Sequence, residues 1–215
     1  MVNQLCVGEL KTNCWIIPLP QDGGCILADP GGESGRIIDR LGKLRLEPRF
    51  IVLTHTHFDH IGALAGIAAA YPEARVAVHR LEAARIGGGG LELQRRELAA
   101  LAALSFLDAF QGPLPEAGML LEEGDTVGPF TVFHLPGHSP GSIGLFRGDE
   151  KVLISGDTLF CAGVGRTDLP GGDQAQLELS LQRLFALDGD VQVYPGHGPA
   201  TSIRRERNRY TEAAP

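Results

Sequence analysis

The feature that most limits the fold of this chain is the run at residues 54–60, T-H-T-H-F-D-H, which directly follows the apolar stretch FIVL. That stretch is too short for a helix and is typical of a buried strand. In an extended segment His55 and His57 project to the same side, so both imidazoles can meet one metal ion. Asp59 and His60 can then turn towards a second point. Because so short a loop cannot fill two coordination spheres, further ligands must come from elsewhere in the sequence.

The missing ligands are expected in three later loops, each of which follows an apolar strand and carries a neighbouring glycine that permits a sharp turn. They are His138 in LPGHSPGS, Asp157 in LISGDTLF and His197 in VYPGHGPA. A lone histidine in such a place is more often structural than a ligand, but the recurrence favours ligands. Five histidines and two carboxylates suit two zinc ions, or iron or manganese. The other two histidines, His79 and His134, are predicted to have structural or supporting roles.

The pattern of apolar segments predicts alternating strands and helices. Strands are expected at residues 3–7, 12–19, 24–28, 50–53 and 75–78, and helices at about 33–44 and 61–70. The same order returns in the second half, with strands at 130–135, 142–146 and 151–154 and a helix at about 173–187. This repetition predicts two similar halves within a single domain over residues 1–215.

A helical insertion is predicted between the halves, at about residues 86–118. It begins with four consecutive glycines and continues in an amphipathic helix at about 91–110, with Leu98, Leu101 and Leu104 on one apolar face. A lid hinged at the glycines and a helix packed on the outside are both compatible with this pattern.

The composition excludes several classes of protein. At 215 residues and a net charge of −7, the chain has one domain's length and no basic surplus for nucleic acid. Its apolar runs are shorter than a membrane span, and its first residues resemble no export signal, so we expect a cytoplasmic protein without a membrane partner. Four cysteines at wide spacings predict reduced thiols. The oligomeric state is not indicated.

The T-H-x-H-x-D-H run and the later Gly-His, Gly-Asp and Gly-His loops resemble the metallo-β-lactamase superfamily. The resemblance covers nearly the whole chain and implies an α/β fold, an αββα four-layer sandwich of two mixed β-sheets packed face to face with helices outside. It implies two divalent metal ions, with zinc expected and iron or manganese as alternatives. By this resemblance His55, His57 and His138 hold the first ion, Asp59, His60 and His197 hold the second, and Asp157 bridges them.

Within the superfamily the chain is most similar to the type II glyoxalases, through SGDTLF, GVGRTDLPGGD and PGHGP. This likeness implies hydrolysis of a small-molecule thioester such as S-lactoylglutathione. Those enzymes have a helical C-terminal domain that helps to bind glutathione, whereas fewer than twenty residues follow His197 here. Glutathione is therefore one possible carrier among several. Asp157 stands where the commonest zinc β-lactamases have cysteine, which disfavours a role in destroying penicillins.

The expected chemistry is attack on the thioester carbonyl by hydroxide held between the two ions, which lower the pKa of water. Asp59 is a catalytic candidate for proton handling besides its ligand role. By the same resemblance Asp29, in the DPGG turn, is expected to lie beneath the metal loops and accept the N–H of a ligating imidazole, with an Asx turn before proline as the alternative. Arg166 can grip a substrate carboxylate or pair with Asp168 or Asp173.

The sequence is compatible with three alternative functions. Persulfide dioxygenases have a closely similar GxGRTD stretch but use one iron held by two histidines and an aspartate. Hydrolysis of another ester or a lactone needs the same ligands with a different pocket. A non-enzymatic scaffold is disfavoured because all seven ligand positions are filled.

Overall fold

The computed structural model describes residues 2–20, 23–110 and 112–213. The chain divides into two compact units, Met1–Leu121 and Glu122–Pro215. Each unit contains one six-stranded mixed sheet together with helices. The predicted α/β class with two mixed sheets is thereby confirmed.

The sheet of the first unit has the order β1-β2-β3-β4-β5-β6. Its strands are β1 (Asn3–Val7), β2 (Thr12–Pro18), β3 (Gly24–Ala28), β4 (Glu47–Leu53), β5 (Arg75–His79) and β6 (Met119–Leu121). The first two pairings are antiparallel and the other three are parallel. Strand β3 is buried along its whole length, as expected of a central strand covered on both faces. The buried ends of β3 and β4 therefore lead into adjacent loops.

Four α-helices accompany this sheet: α1 (Ser34–Leu44), α2 (Phe58–Ile61), α3 (Leu64–Ala70) and α4 (Gly90–Ala100). Short 3-10 segments lie at Ala83–Arg85, Gly87–Gly89 and Leu104–Ala109. Helix α1 buries Ile37 and Leu41, which lie four residues apart on one face of the helix. Two cysteines are also in this core, and burial raises the pKa of Cys25 to about 12. A thiol with this pKa stays protonated and serves as a packing residue.

The sheet of the second unit has the order β14-β13-β10-β9-β8-β7. Its strands are β7 (Thr126–Val127), β8 (Phe130–His134), β9 (Ile143–Arg147), β10 (Val152–Gly156), β13 (Gln192–Pro195) and β14 (Thr201–Ser202). A separate hairpin consists of β11 (Leu159–Phe160) and β12 (Gly163–Val164), and the helices are α5 (Gln174–Phe185) and α6 (Ile203–Ala213). Strands β10 and β13 pair in parallel, so the loops that follow them leave from the same edge of this sheet.

Two helix predictions are wrong in detail. The helix expected at residues 61–70 is two helices, α2 and α3, separated at Gly62 and Ala63. The insertion helix ends at Ala100 instead of continuing to Phe110, because the backbone turns into the left-handed region at Ala102.

The predicted apolar face of the insertion helix is also wrong. Leu98 is buried, but Leu101 and Leu104 lie beyond the end of the helix and are exposed. The four glycines form a 3-10 turn and the first residue of α4, and Glu116 accepts a hydrogen bond from the Gly88 amide. Residue 111 of the insertion lies outside the described residues.

Among the residues that the structure describes, no helix has the length and apolar character needed to cross a bilayer.

Candidate metal centre

The first unit brings four of the predicted ligands together after β4. His55 is fully buried, His57 is the extended residue that precedes α2, and Asp59 and His60 lie within α2. The ring centroids of His55 and His57 are 4.7 Å apart, and those of His55 and His60 are 4.1 Å apart. The helical turn at residues 58–61 thus brings a third imidazole beside the two that project from the extended segment.

Asp29 lies directly beneath this loop, as the sequence predicted. Its carboxylate accepts hydrogen bonds from the Thr54 amide at 2.8 Å and the Thr54 hydroxyl at 2.7 Å, and one of its oxygens lies 3.0 Å from His60 Nδ1. Since the Thr54 hydroxyl donates its hydrogen to Asp29, it accepts from His55 Nδ1 at 3.2 Å. One buried carboxylate therefore favours the same tautomer in two imidazoles, with the proton on Nδ1 and the lone pair on Nε2.

Asp59 is held from two directions. The Thr12 hydroxyl donates to Asp59 Oδ2 at 3.1 Å, and that oxygen lies 3.6 Å from His60 Nε2. Gly31, in the DPGG turn, packs so closely that a Cβ atom built on it would overlap the main-chain carbonyl oxygen of Asp59. The Ala63 amide also donates to the Pro30 carbonyl at 2.9 Å, so the turn and the metal loop are joined through their backbones.

The second unit brings the other three predicted ligands together from three separate loops. Strand β10 ends at Gly156, whose φ of 50° turns the chain and places Asp157 in the loop. Asp157 Oδ2 lies 3.7 Å from His138 Nε2 and 3.5 Å from His197 Nε2. The Gly196 amide donates to the Gly156 carbonyl at 2.9 Å, which ties two of these loops together. One carboxylate oxygen therefore lies between two imidazole nitrogens.

The orientation of His138 is fixed by main chain. Its Nδ1 donates to the Arg166 carbonyl oxygen at 2.7 Å, which leaves the lone pair on Nε2 because a carbonyl can only accept. Gly165 packs against the same region, since a Cβ built on it would overlap the Asp157 carbonyl oxygen and lie 3.1 Å from His138 Cβ. In both units, a glycine thus packs against the main chain of an aspartate predicted to be a ligand.

These donor sets fit divalent metal ions. Three imidazole Nε2 atoms lie 3.5 to 3.7 Å from a carboxylate oxygen, which is longer than a good hydrogen bond. The pairs are His60 with Asp59, His138 with Asp157 and His197 with Asp157. Two ligands of a tetrahedral zinc ion at ~2.0–2.2 Å lie about 3.3–3.6 Å apart, which is close to these values. An Nε2 lone pair facing a carboxylate oxygen is an arrangement of two acceptors that a cation stabilises. The side chains that could hold an ion include all seven predicted ligands.

The remaining predicted residues have other contacts. Arg166 makes a bidentate ion pair with Asp168, both distances being 2.6 Å, and both side chains are largely exposed. This pairing lowers the pKa of Asp168 to about 2. His134 Nε2 donates to the Pro140 carbonyl at 2.9 Å and His79 Nδ1 accepts from the Leu81 amide at 3.3 Å, so both have structural contacts.

Sequence reasoning missed a buried polar group around Thr56, the residue between the two histidines that begin the metal loop. The Thr56 hydroxyl donates to the Glu82 carboxylate, and the Gln94 side-chain amide donates to the Thr56 carbonyl at 2.7 Å. Glu82 and Gln94 are only 1% and 2% exposed. Their spacing carried no motif, so the only signal was that Gln94 shares a helix face with the buried Leu98, four residues later.

Comparison with known families assigns the class of this protein. The model of the metallo-β-lactamase superfamily matches residues 7–197. The chain therefore belongs to the metallo-β-lactamase superfamily, whose metal-dependent hydrolases are the class that the donor sets above suit.

Two relatives agree with this class over almost their whole length. A probable metallo-hydrolase, YqgX of Bacillus subtilis, is 36% identical over 94% of this chain and 92% of its own. A hydroxyacylglutathione hydrolase, GloC of Haemophilus influenzae, is 34% identical over the same shares of the two chains.

Two solved structures are similar to this one. The B3 metallo-β-lactamase BLEG-1 has a TM-score of 0.82 and 35% identity over 97% of both chains. The protein TTHA1623, in a di-iron-bound form, has a TM-score of 0.81 and 35% identity over 95% of this chain and 96% of its own. These similarities confirm the predicted superfamily fold.

Proposed function

We propose that this protein is a dinuclear metal-dependent hydrolase of small-molecule thioesters, similar to the type II glyoxalases. The observation that carries the proposal is the position of Asp157 Oδ2, at 3.5 to 3.7 Å from imidazole nitrogens of two different loops. A carboxylate between two histidines that belong to different coordination sets is suited to bridge two ions. The hydroxyacylglutathione hydrolase among the relatives favours a thioester as the substrate.

We assign the ligands as the resemblance implies. His55, His57 and His138 hold the first ion, Asp59, His60 and His197 hold the second, and Asp157 bridges them. Zinc is proposed, and the di-iron form of one similar structure keeps iron as an alternative to be measured. The bound ions would supply a hydroxide nucleophile near neutral pH and a positive charge beside the substrate carbonyl.

The chain's own groups hold the ligands in their reactive form. Asp29 keeps protons on the Nδ1 side of two imidazoles, so their Nε2 lone pairs are available without a prior proton loss. The Arg166 carbonyl does the same for His138. Thr12 donates to Asp59 Oδ2 and so orients the carboxylate that we propose both as a ligand and as the group that handles a proton.

A thioester needs less acid catalysis at its leaving group than an amide does. A thiolate with a conjugate pKa of ~8.5 departs without full protonation, whereas an amide nitrogen does not. Arg166 is engaged with Asp168, so no fixed cation is assigned to the carboxylates of glutathione. The proposal therefore specifies the thioester bond and leaves the thiol carrier to the experiment.

The test is a substrate panel measured alongside metal content. S-lactoylglutathione, acyl thioesters of two unrelated thiols, an oxygen ester, a lactone and a β-lactam would be given to the zinc-loaded protein, the chelated protein and the Asp157→Ala variant. We expect thioesters to be cleaved fastest, with activity lost on chelation, restored by zinc and absent in the variant. Asp149→Ala is the matched control, because that aspartate is 69% exposed and pairs only with neighbouring Arg147 in the contacts described.

Three outcomes would reject the proposal. Failure to cleave any thioester at full metal loading would reject the substrate class, and cleavage of the β-lactam alone would instead follow the lactamase likeness. One iron per chain with oxygen uptake on glutathione persulfide would identify the dioxygenase alternative.

A further inference from the structure

Thr56 is held on two sides by groups from outside the metal loop. Its hydroxyl donates to a Glu82 carboxylate oxygen, and its main-chain carbonyl accepts from Gln94 Nε2 at 2.7 Å. Thr56 is fully buried, and it lies between His55 and His57 in the sequence. The contacts therefore fix both the side chain and the peptide unit at the centre of the two-histidine segment.

The two partners come from different places in the first unit and are joined to each other. Glu82 lies in the turn after β5, and Gln94 lies in the middle of α4. Arg85 links them, because its Nε lies 3.4 Å from a Glu82 oxygen and its carbonyl accepts from the Gln94 amide at 3.4 Å. Arg85 also pairs with Glu97 of α4. A carboxylate and an amide are costly to bury unless hydrogen-bonded, so this network depends on Thr56 being in place.

A ring contact adds a second connection between the insertion and the metal loop. Phe106, in the 3-10 segment Leu104–Ala109, stacks on Phe58 with centroids 4.5 Å apart. Phe58 directly follows His57. The insertion therefore contacts the loop at residue 56 by a hydrogen bond and at residue 58 by an aromatic contact.

The directions of the two imidazoles depend on the backbone at residue 56. In an extended segment, a rotation at the central residue changes the angle between the side chains before and after it. With its carbonyl held by Gln94 and its hydroxyl by Glu82, Thr56 cannot rotate without breaking at least one of these hydrogen bonds.

We propose that Glu82 and Gln94 are positioning residues for His55 and His57, and that docking of α4 on the metal loop is coupled to metal binding. The inference rests on the proposed function only in requiring that this loop binds a metal ion. Because coupling between two equilibria is reciprocal, a change that weakens docking must weaken metal binding, and metal must in turn stabilise the docked helix.

The first experiment measures zinc affinity by competition with a chromophoric chelator. Thr56→Val removes the hydroxyl at nearly constant volume, and Gln94→Ala removes the amide donor. We expect each to weaken binding of the first ion by about 10–100-fold, the range seen when groups that orient metal ligands are removed. Cobalt-loaded Thr56→Val should also show a shifted visible absorption band, which a loss of stability alone would not produce.

Two control variants separate positioning from a general effect on the helix. Thr56→Ser keeps the hydroxyl and should restore affinity close to that of the parent. Glu92→Gln changes an exposed carboxylate of the same helix, which pairs only with arginines of α4 in the contacts described, and should leave zinc affinity unchanged.

The second experiment needs no variant and so is independent of folding defects. Amide hydrogen exchange of the parent protein would be compared with and without zinc, with α1 as the internal reference. We expect slower exchange in α4 when zinc is bound. Equal exchange in both states, or zinc affinities of Thr56→Val and Gln94→Ala equal to the parent's, would overturn the inference while leaving the hydrolase proposal intact. A parent protein that binds no zinc or other divalent ion would overturn both.

Discussion

The two units of this protein each hold predicted metal ligands, and they differ in how these side chains are held. The first unit places four predicted ligands on one loop, where the Asp29 side chain contacts Thr54 and His60. The second unit places three predicted ligands on three loops, where His138 contacts the main-chain carbonyl of Arg166. A ligand held by a side chain loses its orientation when that side chain is substituted. A ligand held by main chain loses it only when the path of the chain changes.

One device is common to both units. In each, a glycine lies against the main-chain carbonyl oxygen of an aspartate predicted to be a ligand, Gly31 against Asp59 and Gly165 against Asp157. No side chain fits at either position without moving the backbone that carries the ligand. Close backbone approach therefore accompanies a predicted ligand in each unit.

The largest expected difference between the units concerns their carboxylate ligands. Asp157→Ala should lower thioesterase activity by more than about 100-fold and reduce the affinity for both ions, because its oxygen lies beside two histidines. Asp59→Ala should retain about one ion per chain, since Asp59 is proposed to serve a single ion. Metal content after gel filtration would measure this, and equal losses in the two variants would refute the bridging assignment.

The glycines give the next largest effect. Gly31→Ala and Gly165→Ala should each lower the free energy of unfolding by ~3 kcal/mol or more, at or above the usual cost of overpacking, because the clash is with backbone. Gly42→Ala in α1 is the matched control, where no atom lies within 4 Å of the added carbon and helix propensity predicts a gain of ~0.5–1 kcal/mol. Urea unfolding measures all three. If either Gly31→Ala or Gly165→Ala were as stable as the parent, close packing at that glycine would not be required.

Substitutions at residues that contact the predicted ligands should change zinc affinity more in the first unit than in the second. Asp29→Asn should weaken zinc binding by about 10–100-fold, because the neutral amide no longer favours Nδ1 protonation of two imidazoles. Arg166→Ala should leave zinc affinity nearly unchanged, because His138 contacts the carbonyl of that residue and not its side chain. The lost ion pair with Asp168 is exposed and contributes ~0–1 kcal/mol to stability. A large loss of zinc affinity in Arg166→Ala would show that the Arg166 side chain, and not only its carbonyl, helps to hold His138.

The smallest effect is a pH dependence in the second unit, which has its own buried carboxylate in Glu206. Burial raises the pKa of Glu206, but hydrogen bonds from Thr201, the Ala162 amide and Arg209 outweigh it, so the pKa is lowered from its usual 4.5. A lowered pKa contributes stability that is complete above the unfolded-state value and is lost as the pH falls through the folded-state value.

Glu206→Gln should therefore be less stable than the parent at pH 7, and the difference should shrink on acidification to below the folded-state pKa. Urea unfolding at a series of pH values would show this. A difference that stays constant with pH would indicate that packing, and not the charge, explains the effect of the substitution.

Much of the architecture could be predicted from local sequence. Strands β1 and β3 lie where alternation and turn residues predicted them, and Asp29 lies beneath the metal loop. These features are encoded within a few neighbouring residues, so periodicity and turn chemistry are sufficient to find them. The ligand loops were visible for the same reason, since each follows an apolar strand.

Other features depend on contacts that are distant in sequence. The helix that begins at Gly90 ends at Ala100 although no glycine or proline stops it, because Ala102 adopts a left-handed conformation that its residue type does not signal. Glu82 and Gln94 were not recognised because their partner, Thr56, is 26 and 38 residues away. Short strands such as β6 lacked enough residues for a pattern to register.

The contact between His138 and the carbonyl of residue 166 has a consequence for how a protein of this kind can diversify. Every amino acid presents the same carbonyl, so residue 166 can change its side chain over generations while the imidazole keeps its alignment. The exposed surface of this loop can therefore change its charge and shape while the contact that aligns His138 is kept.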